Sequence, residues 1–227
     1  YVSPRNWAPR APIGARTQEF IRRVLRRAKR NSSHEYLNRY KSPGTCYTPN
    51  ERIHARLLGK NLDGMAFLSD TMLQMYPEAE VVGLIRNGFA VCEGHIRRGR
   101  SAEEIGQLYR LVVEKMLHDR ERAPNYHIVR FEELLQKPVG HLKHLFVRLG
   151  LNPFQIEHIR IQQRKFFDAT GNHLLQGEKE WSLQWMRLDD IPDFLDPEID
   201  DRQIQRLSPS DRESFLLEAG DVMERLG

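Results

Sequence analysis

A short apolar run, Val81-Val82-Gly83-Leu84-Ile85, ends in Arg86-Asn87-Gly88 and gives way at once to a helical pattern carrying Phe89, Ala90, Val91 and Ile96. The run is short, has no polar alternation and carries β-branched residues. It therefore predicts a strand buried on both faces, as in a parallel sheet. Strand, polar turn and helix in immediate succession form the repeating unit of α/β folds. A second such passage follows: Tyr126-His127-Ile128-Val129-Arg130 predicts a strand, and Phe131-Glu132-Glu133-Leu134-Leu135 turns directly into a helix. Two parallel strands do not make a stable sheet by themselves, so the pattern requires further strands.

The remaining chain reads as helices and loops. Residues 1–14 carry Pro4, Pro9 and Pro12 and predict an irregular arm. Phe20, Ile21, Val24, Leu25 and Ala28 recur at helical spacing behind Thr17, a plausible N-cap. Helices are expected over about Asn50–Leu58, stopped by Gly59, and over Met65–Met75, ending before Pro77. Ser101 to Glu104 forms a capping box for a long helix to Arg122, and another helix runs from His141 to Leu149. A further helix is expected over 153–167, then an irregular stretch over 168–207. Ser208-Pro209 opens a final helix to Leu226. We read residues 1–50 as an arm and basic helix flanking a main domain at 51–227.

Composition excludes several classes. No apolar run reaches the ~20 residues a membrane-spanning helix needs. No signal peptide is visible, so a cytoplasmic address is expected. Cys46 and Cys92 make neither a disulfide scaffold nor a metal spacing. His141 and His144 share one helix without a recognisable third ligand, so no metal is expected. Charge is concentrated: Arg16, Arg22, Arg23, Arg26, Arg27, Lys29 and Arg30 face one acid, Glu19. Such a helix would suit an acidic membrane surface, an anionic polymer or an acidic acceptor, or stand as a solvated basic face. No motif of specific spacing supports sequence-specific nucleic-acid binding.

Chemistry is expected at the carboxyl edge of the sheet, where open α/β sheets bind ligands and helix amides favour anions. Arg86 stands there, and its guanidinium can hold a phosphate through two parallel hydrogen bonds. The alternative is a strand-end arginine that reaches solvent or pairs with an acid.

Five segments in order resemble the sulfotransferase family. Tyr76-Pro77-Glu78-Ala79-Glu80, the strand and Arg86-Asn87 resemble its Phe-Pro-x-Ala element, apolar strand and Arg-Asp-Pro turn. Gly59-Lys60-Asn61-Leu62 resembles its Gly-x-Lys turn. Val129-Arg130-Phe131-Glu132-Glu133-Leu134 with Pro138 resembles Val-Arg-Tyr-Glu-Asp-Leu followed by Pro. The helix His141–Leu149 with Gly150-Leu151, and the end Leu207-Ser208-Pro209 to Leu226-Gly227, are similar to its last elements.

The resemblance implies a three-layer α/β fold with a mostly parallel central sheet flanked by helices, similar to P-loop nucleotide-binding folds. It implies sulfuryl transfer from 3′-phosphoadenosine 5′-phosphosulfate to a hydroxyl or amine acceptor, without a metal. A small-molecule acceptor is the default; a polysaccharide or a peptide remains open. Arg86 matches the 3′-phosphate ligand, and Lys60 matches a lysine near the sulfuryl group. Lys179, before Trp181, matches a basic residue near the nucleotide. Gly94 occupies the position, eight after the arginine, where the family places a second 3′-phosphate ligand, a serine. Phe131 replaces the family tyrosine, Gly88 replaces the proline, and no histidine follows Lys60; Asp63 is a nearby acid. The family's 5′-phosphosulfate loop is missing. Lys41-Ser42-Pro43-Gly44-Thr45-Cys46 lacks a preceding strand, so the loop is expected upstream of Tyr1. These departures keep open a catalytically impaired, sulfotransferase-like binding protein, and the basic helix keeps open an anionic-polymer binder.

Overall fold

The computed structural model describes residues 13–30, 48–60, 63–164 and 181–227. In chain order these hold α1 (Ala15–Arg30), α2 (Pro49–His54), a 3-10 segment (Asp63–Leu68) and α3 (Ser69–Met75). Next come β1 (Val81–Ile85), α4 (Gly88–Ile96), α5 (Ala102–Arg122) and β2 (Tyr126–Arg130). The chain continues through α6 (Phe131–Gln136), α7 (Pro138–Arg148), β3 (His158–Arg164) and β4 (Trp181–Arg187) to α8 (Ile199–Ile204) and α9 (Pro209–Leu226). Two compact units result, Tyr1–Arg130 with Ile199–Gly227, and Phe131–Glu198.

In the first unit β1 and β2 pair in parallel, from Val81 opposite Tyr126 to Ile85 opposite Arg130. Both predicted strands therefore form with the predicted bounds, and each leads into a helix. Burial along β1 alternates. Gly83 and Ile85 face inward, whereas Val82 is 40% and Leu84 52% exposed. The expectation of burial on both faces is thus corrected: among the described residues, cover exists on one side only. That side is α5 and α9. Ile105, Tyr109, Val113 and Leu117 of α5 meet Phe215, Ala219 and Val222 of α9, with Ile85 and Cys92 in the same core. The Phe215 ring lies 5.6 Å from Phe89 and 5.7 Å from Tyr109, centroid to centroid, in the tilted geometry aromatic pairs favour.

Two glycines permit this close approach. A Cβ on Gly106 would lie 2.8 Å from Glu218 Cβ and 2.9 Å from the Phe215 carbonyl oxygen. One on Gly88 would lie 2.8 Å from the Phe215 ring, which explains why no proline stands there. Gly106→Ala is therefore expected to destabilise the protein by about 1–3 kcal/mol, since a backbone carbonyl cannot swing away. Gly94→Ala, with nothing within 4 Å of the new Cβ, is expected to stabilise it, because alanine suits a helix interior better by ~0.5–1 kcal/mol. Thermal unfolding of the two variants should move in opposite directions.

Helix starts follow the expected chemistry. Ser101 accepts from Glu104 N at 3.2 Å, and Ser208 accepts from Asp211 N at 3.1 Å with Pro209 in the first turn. At the other end of α9, Arg130 donates to the carbonyls of Leu226 (2.7 Å) and Gly227 (3.1 Å), where the helix dipole favours a cation. The helix expected over Asn50–Leu58 is shorter. Thr48 and Glu51 form a reciprocal capping box at its start, and it ends at His54.

The second unit corrects the reading of 153–167 as helix. After a short 3-10 turn at Pro153–Gln155, β3 runs antiparallel to β4, with Ile159 opposite Met186 and Arg160 opposite Trp185. The period-two signal is present in Ile159 and Ile161, but Ile156 and Ile159 also sit three apart and mimic a helix. The stretch 168–207 holds β4, a 3-10 segment (Leu188–Phe194) and α8 rather than irregular chain throughout. Met186, Leu188 and Ile191 are buried there against Val139, Leu142, Ile159 and Leu195.

Candidate functional site

Arg86 follows β1 immediately and is fixed at both ends. Its carbonyl accepts a hydrogen bond from the Tyr109 hydroxyl of α5 at 2.9 Å. Its Nε donates to Asp200 Oδ1 at 2.8 Å, and Nη2 donates to the same oxygen and to Gln203 Oε1. Asp200 is only 6% exposed, and its Oδ2 is buried with no hydrogen-bond partner among the described residues. The alternative raised from sequence, an arginine paired with an acid, is therefore what the structure holds. A second ion-pair cluster lies alongside. Glu93 of α4, 3% exposed, has Arg97 Nε 3.0 Å and Arg206 Nε 3.2 Å from its Oε1. Three guanidinium groups thus meet two carboxylates around α4 and α8, an arrangement that can bind a further anion.

The helix amides are less available than sequence suggests. Asn87 caps α4, accepting from Phe89 N at 2.9 Å and Ala90 N at 3.4 Å. These donors are satisfied within the helix by its own cap. Gly94 lies within α4 with open space beside its Cα. Lys60 is exposed on the segment after α2 and makes no hydrogen bond or ion pair among the described residues. No such bond joins it to Arg86. Lys179, the Lys41–Cys46 segment and Asn61-Leu62 lie outside the described residues, as does Cys46.

Sequence reasoning missed Tyr109, Asp200 and Gln203, which orient Arg86. It also missed a buried network between α3 and α5. Lys115 Nζ donates to Asp119, to Asp70 at 2.9 Å and to Ser69 Oγ at 3.3 Å, and Ser69 in turn donates to Asp119. Asp119 is 2% exposed. Its charge, after burial, helps push the nearby Tyr126 phenol up to about 12. Burial, with smaller contributions from Asp211 and Glu93, likewise pushes the Cys92 thiol up to about 11, so Cys92 is an inert core residue at neutral pH.

Among the described residues no group of three or more His, Cys, Asp or Glu could hold a metal ion. None of their helices is long and apolar enough to cross a membrane. The surface hollows beside Pro209, Arg212 and Leu216, and beside Trp185, Arg187 and Phe194, include neither Arg86 nor Gly94 nor Lys60.

Comparison with known proteins covers four of the five ordered segments; the end, Leu207 to Gly227, lies outside the match. No curated protein and no solved structure matches the chain. A family model described as the sulfotransferase family matches residues 6–155, a span that contains Lys60, the β1–Arg86–α4 unit, β2 and α7. The chain belongs to the sulfotransferase family, and with it to the α/β class of transferases.

Proposed function

We propose that the protein transfers a sulfuryl group from 3′-phosphoadenosine 5′-phosphosulfate to a hydroxyl or amine acceptor. In this reading β1 and β2 belong to a mostly parallel central sheet with helices on both sides. The observation that supports it is Arg86, a guanidinium oriented at the carboxyl end of a parallel strand, where open α/β sheets take their ligands. Arg86 would bind the 3′-phosphate, with the backbone at Gly94 beside it and Lys179 near the nucleotide. Lys60 would lie at the bridging oxygen. In the transfer step the acceptor oxygen or nitrogen forms a bond to sulfur as the bond from sulfur to the 5′-phosphate oxygen breaks. The electron pair goes to that phosphate, where an ammonium such as that of Lys60 stabilises it, and the acceptor proton passes to a base. A small molecule is the favoured acceptor, ahead of a polysaccharide or peptide.

Asp200 favours a second reading. It occupies the guanidinium that a phosphate would take, and Gly94 and Phe131 lack the hydroxyls of their family counterparts. A protein so built would bind a partner rather than turn over. Incubating the full-length protein with radiolabelled donor and a panel of alcohols, phenols, amines, glycans and peptides separates the two. The first reading expects label in an acceptor and stoichiometric release of 3′-phosphoadenosine 5′-phosphate. Binding of that nucleotide with no label transferred to any acceptor supports the second.

A further inference from the structure

We propose that α1 and α2 form an interfacial anchor that seats on an anionic lipid surface. The inference uses no part of the sulfotransferase reading. Along α1, Phe20, Ile21, Val24 and Leu25 line one side, while Arg22, Arg23, Arg26 and Lys29 occupy the rest with a single acid, Glu19. Ile21 and Leu25 are half-buried, but Phe20 is 64% and Val24 47% exposed. These two stand one turn apart, and Arg16, Arg23 and Arg27 lie three or four residues from one or the other, so cations flank the exposed apolar strip directly.

α2 and the residues after it add exposed apolar side chains. Lys29 Nζ donates to the Ile53 carbonyl at 2.6 Å, which holds the two helices together. Ile53 is 58% exposed, Leu57 44% and Leu58 93%. Large apolar side chains exposed next to a dense row of arginines are the signature of a helix that lies in the boundary between headgroups and acyl chains. The composition selects this occupant. A nucleic acid or sulfated polymer offers charge to the arginines but no apolar layer to Phe20, Val24 and Leu58. A second copy packed through the same face would bring two arginine rows together. Only an anionic bilayer answers both features, with acyl chains for the strip and headgroups for the guanidinium groups.

The test is cosedimentation of the full chain with vesicles of phosphatidylcholine alone or mixed with phosphatidylserine, with heparin as a soluble polyanion. Binding to the mixed vesicles, weakened by salt and nearly absent on pure phosphatidylcholine, is expected. Phe20→Ser with Leu58→Ser should lower the partition coefficient at least tenfold, given the apolar surface each side chain would bury. The second pair, Arg23→Gln with Arg27→Gln, should lower it about tenfold or more on anionic vesicles, since each basic residue near such a surface contributes several-fold. Far-ultraviolet dichroism checks fold retention in both pairs. Absence of binding to mixed vesicles overturns the proposal. So does an unchanged vesicle affinity in the serine pair, which would make the helix a polyanion binder. A wild-type dimer that the serine pair converts to monomer, without vesicle binding, would assign the strip to a second copy instead.

Discussion

Arg86→Gln is expected to weaken binding of 3′-phosphoadenosine 5′-phosphate by about thirty- to a hundredfold, equivalent to about 2–3 kcal/mol. Two charge-assisted hydrogen bonds to a phosphate oxygen pair are lost, each contributing ~1.5–3 kcal/mol before the guanidinium's existing partners are counted. The full sum is not realised, because Arg86 already serves Asp200 and Gln203. The same change strands the Asp200 carboxylate, which is 6% exposed and already has one oxygen without a hydrogen bond. Stability should therefore fall too. Removing one partner of a fully buried pair costs about 3–5 kcal/mol, and the partial exposure of Arg86 places this case below that range. Asp200→Asn separates the two effects. It removes a negative charge from beside the phosphate position, so the nucleotide should bind about fivefold tighter or more, reflecting like-charge repulsion of ~1 kcal/mol at 4 Å even in water. The double variant should regain stability relative to Arg86→Gln and stay weak in binding. Calorimetry for affinity and denaturant titration for stability give both readouts. If Arg86→Gln loses stability but binds the nucleotide as wild type does, Arg86 is a structural partner of α8 alone.

Asp119→Ala should produce a large loss of stability, about 3–5 kcal/mol, because it leaves Lys115 without its buried carboxylate, although Ser69 keeps the Ala66 carbonyl at 2.6 Å. Lys115 keeps Asp70 as a partner at 2.9 Å, but that aspartate is half-exposed and lies at the edge of the network. Lys115→Met should cost a similar amount. It leaves the Asp119 carboxylate, 2% exposed, with the Ser69 hydroxyl but without its cation. The network ties α5 to α3 across the amino end of the domain, away from the Arg86 end of β1. Nucleotide binding per folded molecule should therefore be unchanged in both variants. Urea midpoints at constant slope provide the check.

Local order explains how much was legible in the sequence. The β1–Arg86–α4 and β2–α6 units were readable because strand, turn and helix are adjacent and each signal lies within a few residues. Ser101 and Ser208 were readable as caps for the same reason. The β3–β4 pair was not, because a lone pair of isoleucines fits two periods and the partner strand lies across a long connection. The site was legible only in part. Arg86 is legible as the cation at its strand end, but its tether to Asp200 spans 114 residues and joins a strand terminus to a six-residue helix. Glu93 is nearer in sequence and equally acidic, yet it is taken by Arg97 and Arg206. Nothing local distinguishes the two carboxylates; only the way α8 returns to the carboxyl end of β1 does. Gly88 shows the converse. Its departure from the family proline looked like a loss of the site, and the Phe215 ring against it shows a repacked core.

The central claim is that this end of the sheet binds a phosphorylated adenosine. Titration calorimetry of 3′-phosphoadenosine 5′-phosphate into the full-length protein tests it most directly. The account predicts saturable binding that strengthens in Asp200→Asn and weakens about thirty- to a hundredfold in Arg86→Gln. No binding heat and no rise in unfolding temperature at millimolar nucleotide, in a protein shown to be folded, would contradict it.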